Sequence, residues 1–150
     1  MNSDSNDTAF LRHLLKTIQY RLGGVLIDPP AGFGTFAMDA GARTPVQLLS
    51  HISDVLAWAH SKVDRTRARF EATDSWEAQV DRFRQILSAF DEALATREVS
   101  PELALRLTQG PLADVLTHVG QLALIRRLAG APIPGENFFA ATVPDIEAAT

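Results

Sequence analysis

The chain has 150 residues, 46% of them hydrophobic and 21% charged, with a formal net charge of −4. That length fits one domain, 1–150, with a proper core, and the composition is that of a globular chain. The mild acidity, with both signs interspersed, excludes a dedicated nucleic-acid surface, and the lack of Cys excludes disulfides, zinc–thiolate sites and thiol nucleophiles.

Any metal must therefore be held by imidazole and carboxylate. The segment MNSDSNDTAF is polar and acidic, without the basic and apolar regions of a signal peptide. No apolar run approaches the ~20 residues that span a bilayer. The expectation is a cytoplasmic protein with no membrane partner, frayed over 1–7 and 145–150.

From Thr8, apolar residues at Phe10, Leu11, Leu14, Leu15, Ile18, Leu22 and Leu26 recur at helical spacing. Gly23 and Gly24 weaken the end of this helix or admit a neighbouring helix, and Asp28-Pro29-Pro30 stops it. His13 falls on its polar edge and is expected to face solvent. The segment 31–43 is a loop. It is too apolar for a solvated linker, so Phe33, Phe36 and Met38 are expected to fold back over the domain as a cover or a site wall.

Thr44-Pro45 is a helix start, with Thr as N-cap and Pro at the first helical position. The predicted helix runs over 44–70, with Leu48, Ile52, Val55, Leu56, Ala59 and Val63 as its apolar stripe. His51 and Trp58 share a flank of that stripe; Trp58 reads as a core aromatic or a pocket wall. His60 lies on the opposite side and is expected to be exposed. Asp74-Ser75-Trp76-Glu77 resembles a capping box. It opens a third helix carrying Trp76, Val80, Phe83, Ile86, Leu87, Phe90 and Leu94, with no His among them. Ser100-Pro101 starts a short helix that ends before Gly110-Pro111.

The last long helix is predicted over 110–130, with Leu112, Val115, Val119 and Leu122 apolar. At ~100° per residue, Asp114, His118, Gln121 and Ile125 share an adjoining face. His118 there is either a core imidazole satisfied by a polar neighbour or a ligand. The tail after Gly130, interrupted by Pro132, Pro134 and Pro144, cannot be helical, and Phe138 and Phe139 are expected to dock it. Four long amphipathic helices, a long first crossover loop and a short extra helix before the last long one predict an all-α four-helix bundle.

Asp114 and His118 are four residues apart, one turn above each other, so both can reach one ion. His51 from the second long helix completes a set of two imidazoles and a carboxylate. Such a set suits Zn²⁺, Ni²⁺, Fe²⁺ or Mn²⁺ and leaves positions open.

The segment SHISDVLAWAH, from Ser50 to His60, resembles the second-helix motif of the DinB/YfiT-like bundle proteins: a His early in the helix and an aromatic two turns later. DVLTHVGQ, from Asp114 to Gln121, resembles that family's last-helix motif, H-x-x-H-H-R-G-Q. With the spacing between the motifs, the resemblance spans nearly the whole chain. It departs from the family pattern at three places: Asp114 stands at a ligand His position, Thr117 at the middle His and Val119 at the Arg. The resemblance implies a divalent metal, nickel or zinc, on His51, Asp114 and His118. It also implies thiol-dependent transfer, isomerisation or hydrolysis of a small molecule, with a low-molecular-weight thiol as cosubstrate, in a homodimer. The alternative is a non-catalytic bundle that has lost its metal and serves as a dimeric binding or structural protein.

Overall fold

A computed structural model describes residues 3–39, 41–65 and 75–147. Four long helical rods pack together: α1 (Ser3–Leu26), α2 (Pro45–Val63), α3 (Trp76–Thr96) and a composite last rod. That rod begins as α4 (Pro101–Leu107) and ends as α5 (Ala113–Leu128). Among the described residues there is no strand, and no helix is long and apolar enough to cross a membrane.

The predicted stripes supply the core. Leu11, Leu15, Ile18 and Leu22 of α1, Leu48, Ile52, Leu56 and Ala59 of α2, Phe83, Ile86, Leu87, Phe90 and Leu94 of α3, and Leu112, Val115, Val119 and Leu122 of the last rod are all buried in one cluster. Phe10 is the exception: it lies on the solvent side of α1, 61% exposed. Around the bundle the neighbours run α1, α3, α2, α5 and back to α1, so α1 and α2 are diagonal. The connection over 27–44 makes that crossing. It carries a single 3₁₀ turn, Phe33–Thr35. As expected, Phe33 is buried, edge-on to Trp76 with ring centroids 5.2 Å apart, and Phe36 and Met38 pack on the core.

The helix starts are local chemistry. Thr44 accepts from the Gln47 amide while the Gln47 side chain accepts from the Thr44 amide, a reciprocal box ahead of Pro45. Ser75 caps α3 by accepting from the Ala78 amide, and Ser100 caps α4 by accepting from the Leu103 amide. The predicted cap at Asp74 lies outside the described residues. At the far end, the amides of Gly130 and Ala131 donate to the carbonyls of Arg127 and Arg126, with Gly130 at φ 81°. That is a Schellman closure, and it requires the left-handed conformation that Gly adopts without strain.

Several expectations need correction. α1 begins at Ser3 rather than Thr8, because a helix end needs no apolar stripe to continue its hydrogen bonds. α2 stops at Val63, with Asp64 in an extended conformation, and the rest of its predicted length over 66–70 lies outside the described residues. Gly110-Pro111 does not separate two helices. α4 passes into α5 through a π-helical turn, Thr108–Leu112, that holds Pro111. The wider turn absorbs the donor that Pro lacks.

The tail is docked further than expected. Lys16 pairs with Asp145, and Gln19 bonds to the backbone of Asp145 and Glu147, so 145–147 are not frayed. The tail, and not a helix, faces Gly24: a Cβ there would lie 3.9 Å from Ile133. Phe138 is edge-on to Tyr20 and lies under the Arg21 guanidinium, 3.9 Å away. Phe139 docks nothing and is fully exposed, because consecutive residues of a turn point to different sides.

His60 is buried, contrary to expectation, with its ring tilted against Phe90 at 5.7 Å. The reason is that α2 has two packed sides: α5 on the side of His51 and α3 on the side opposite. Burial lowers the His60 proton affinity from the ordinary value near 6.5, against a smaller opposing pull from Asp64. The unfolded chain therefore binds its proton first as pH falls. His60 stabilises the fold above the unfolded value and loses that contribution as pH drops toward the folded one. Denaturant titrations from pH 7 to pH 5 should show falling stability, with a shallower fall in His60→Leu. His51, shifted in the same direction, leaves a residual slope. Equal slopes in both proteins would refute the assignment.

Candidate metal centre

The α2–α5 seam brings together the three side chains singled out by spacing. One ligand atom each from His51, Asp114 and His118 lies within 4.8 Å of the other two. His118 Nε2 is 3.3 Å from Asp114 Oδ2, and His51 Nε2 is 4.0 Å from the same oxygen. The imidazole rings meet edge to face, with centroids 4.7 Å apart. Asp114 and His118 are stacked by one turn of α5, and His51 arrives from the facing helix. Exposure grades across the cluster, from buried His118 through partly buried His51 to half-exposed Asp114. One side of the cluster is thus open to solvent.

Gln121, one turn beyond His118, hydrogen-bonds to that ring. Its Oε1 lies 2.9 Å from His118 Nδ1. An amide oxygen only accepts, so Nδ1 carries the hydrogen and donates. In the neutral ring Nε2 is then a bare lone pair, aimed at a carboxylate oxygen. Two acceptors facing each other at 3.3 Å repel unless a proton or a cation stands between them. At His51, burial first, then the nearby Arg43 and His118, lower the proton affinity, and Asp114 and Asp54 oppose this more weakly. His51 is thereby held as the neutral, ligating form.

The donor set fits a divalent ion. Bonds of ~2.1 Å in tetrahedral array place ligand atoms ~3.4 Å apart. His118 and Asp114 are already at that separation. Closing His51 onto the same point takes a movement of about 1 Å, within the freedom of a partly exposed side chain. Three protein ligands leave a fourth position free on the solvent side.

The other residues considered from sequence stand elsewhere. Trp58 is neither core nor site wall: it is half exposed on α2, with Lys62 Nζ 4.4 Å above its ring. Phe33 packs edge-on to Trp76 of α3. His13 faces solvent, as expected. Spacing did not find Arg43, whose charge reaches His51 from the end of the crossover loop. The path of a loop is not written in periodicity, and only its position next to the Thr44 cap marked it. No family model, curated protein or solved structure matches the chain.

Proposed function

We propose that the chain is a divalent-metal protein of the DinB-like class, with zinc or nickel held by His51, Asp114 and His118 between α2 and α5. The carrying observation is the convergence of three potential ligand atoms: His118 Nε2 faces Asp114 Oδ2, with His51 Nε2 alongside. When bound, the ion supplies Lewis acidity and lowers the pKa of a thiol or water beside it. Gln121 keeps the His118 ring in the tautomer and orientation that ligation needs. Asp114 offsets part of the ion's charge and remains solvent-accessible. A low-molecular-weight thiol is the cosubstrate that the resemblance of the two motifs points to, and transfer, isomerisation or hydrolysis of a small molecule is the reaction class.

A second reading is an ion-free bundle in which Asp114 pairs with a protonated imidazole. The 3.3 Å approach of His118 to Asp114 is also that of an ion pair, which does not need His51. Titration with Zn²⁺ separates the two, since one tight equivalent is expected of the first and none of the second. Asp114→His supplies the third imidazole that the resembling family carries. It should tighten Zn²⁺ binding, by about tenfold or more, as a neutral donor softer than carboxylate replaces an exposed one. Unchanged affinity would show that Asp114 is not a ligand.

A further inference from the structure

Beside the metal centre, the α2–α5 seam opens into a groove. Its walls include Met38, Arg43, Leu48, Gln121, Leu124 and Ile125, and its volume is ≈ 570 Å³. The register of the seam fixes its position. Leu48 is one turn before His51 on α2, and Ile125 is one turn after Gln121 on α5, so the groove continues the line of the cluster by one turn. Gln121 belongs to both, because the residue that bonds His118 also lines the groove.

The lining sorts by chemistry. Met38, Leu48, Leu124 and Ile125 offer an apolar wall, and Leu124 is 56% exposed. Arg43 is the single cation among the lining residues, and no acid is among them. Among the described residues no carboxylate pairs with Arg43. It directly precedes the Thr44 cap, so the positive end of the α2 dipole reinforces its field.

We infer that this groove takes a small organic carboxylate, with its carboxylate on Arg43 and its apolar body along Met38, Leu48, Leu124 and Ile125. Its role as substrate of the neighbouring centre rests on the metal reading above. One guanidinium matches one carboxylate in a two-pronged pair. A phosphorylated ligand would need further cations, and Arg43 is the one cation among the described lining residues. The volume is that of a small-molecule site.

The test uses hexanoate and 1-hexanol as probes on the full-length chain, before and after Zn²⁺ addition. Binding is followed by amide chemical shifts in wild type and Arg43→Gln. Hexanoate should shift the amides of Leu48, Leu124 and Ile125 with or without Zn²⁺. Arg43→Gln should weaken hexanoate about tenfold, the low end for losing a bond between charged groups at an exposed site, and leave hexanol unchanged. No hexanoate binding, equal binding of the two probes to wild type, or equal loss of both in Arg43→Gln would overturn the inference. Hexanoate shifts that vanish on metal-free protein would do the same, since the ion and not Arg43 would then hold the carboxylate. Zn²⁺ titration of the same samples reports separately on the centre. Arg43-dependent hexanoate binding in a protein that takes no Zn²⁺ upholds the carboxylate site and removes the metal reading alone.

Discussion

His118→Ala is expected to lose metal binding by roughly a thousandfold, because losing an inner ligand exceeds the 10–100-fold cost of losing an outer partner. Wild type, reloaded after chelation, should hold one equivalent of Zn²⁺ or Ni²⁺ by elemental analysis. The variant should hold none after the same wash. The size of the effect follows from the arrangement. His118 is the buried member of the set, and Gln121 fixes its ring, so it is the ligand that needs no movement. His51 and Asp114 alone, partly or half exposed, form an open pair with weak geometric demand. Truncating a buried imidazole also leaves a void, so far-UV circular dichroism must show that the bundle persists. Asp114→Asn serves as the second variant. It sits on the solvent side, leaves the core untouched, and should lower affinity without changing the fold. Full metal occupancy in both variants would place the ion elsewhere, and an empty wild type would leave the ion-free reading.

Arg126→Met should destabilise the fold by about 3 kcal/mol, read as a lower denaturation midpoint, because several acceptors lose a charged donor at once. The Arg126 side chain is 6% exposed, and among the described residues it pairs with no carboxylate. Its guanidinium donates to the carbonyls of Val25 at 2.8 Å, Ile27 at 2.6 Å, Asp28 at 3.4 Å and Ala131 at 3.0 Å. The first three belong to the end of α1 and the residues just past it, where carbonyls have no partner within the helix. The last joins the start of the tail. One side chain thus satisfies the negative pole of α1 and ties it to the end of α5. Asp28 turns the chain there with φ 43°, a left-handed conformation that Asp adopts more readily than most residues. Methionine keeps the length of the stem and removes every donor. The midpoint of thermal unfolding should fall by about 6–12 °C. Arg126→Lys should lie between, keeping the charge and losing the planar fork. A change below ~0.5 kcal/mol, the range of ordinary surface substitutions, would mean that water replaces the guanidinium without loss.

Much of the architecture was legible because periodicity and caps report on local physics. The stripes on α1, α2, α3 and α5 predicted the buried cluster, and Thr44-Pro45, Ser100-Pro101 and Gly130 marked helix ends where the structure has them. The approach of His51 to His118 and Asp114 was legible for a related reason. A four-residue spacing on one helix and a His on the flank of another leave few ways to pack two apolar stripes without bringing those flanks together. What stayed hidden depends on which rod stands next to which. His60 sits opposite His51 on the α2 helical wheel, and only the presence of α3 on that side buries it. Trp58 read as a core aromatic or a pocket wall, but it is half exposed, with its own Lys62 over the ring. Arg126 carried no signal in the sequence beyond its place in a last turn. Three of the carbonyls it bonds lie about a hundred residues earlier, which no local pattern encodes.

The π-helical turn at Thr108–Leu112 has a geometric consequence for where Asp114 and His118 of α5 point. Leu107 and Leu112 are both buried, although five residues apart. On a plain α-helix that interval would set them ~140° around the axis from each other, one inward and one toward water. The slack coil reconciles two apolar phases that a uniform screw thread would leave out of step. The aim of Asp114 and His118 is therefore set upstream, by the winding of five backbone units, before any ligand chemistry enters.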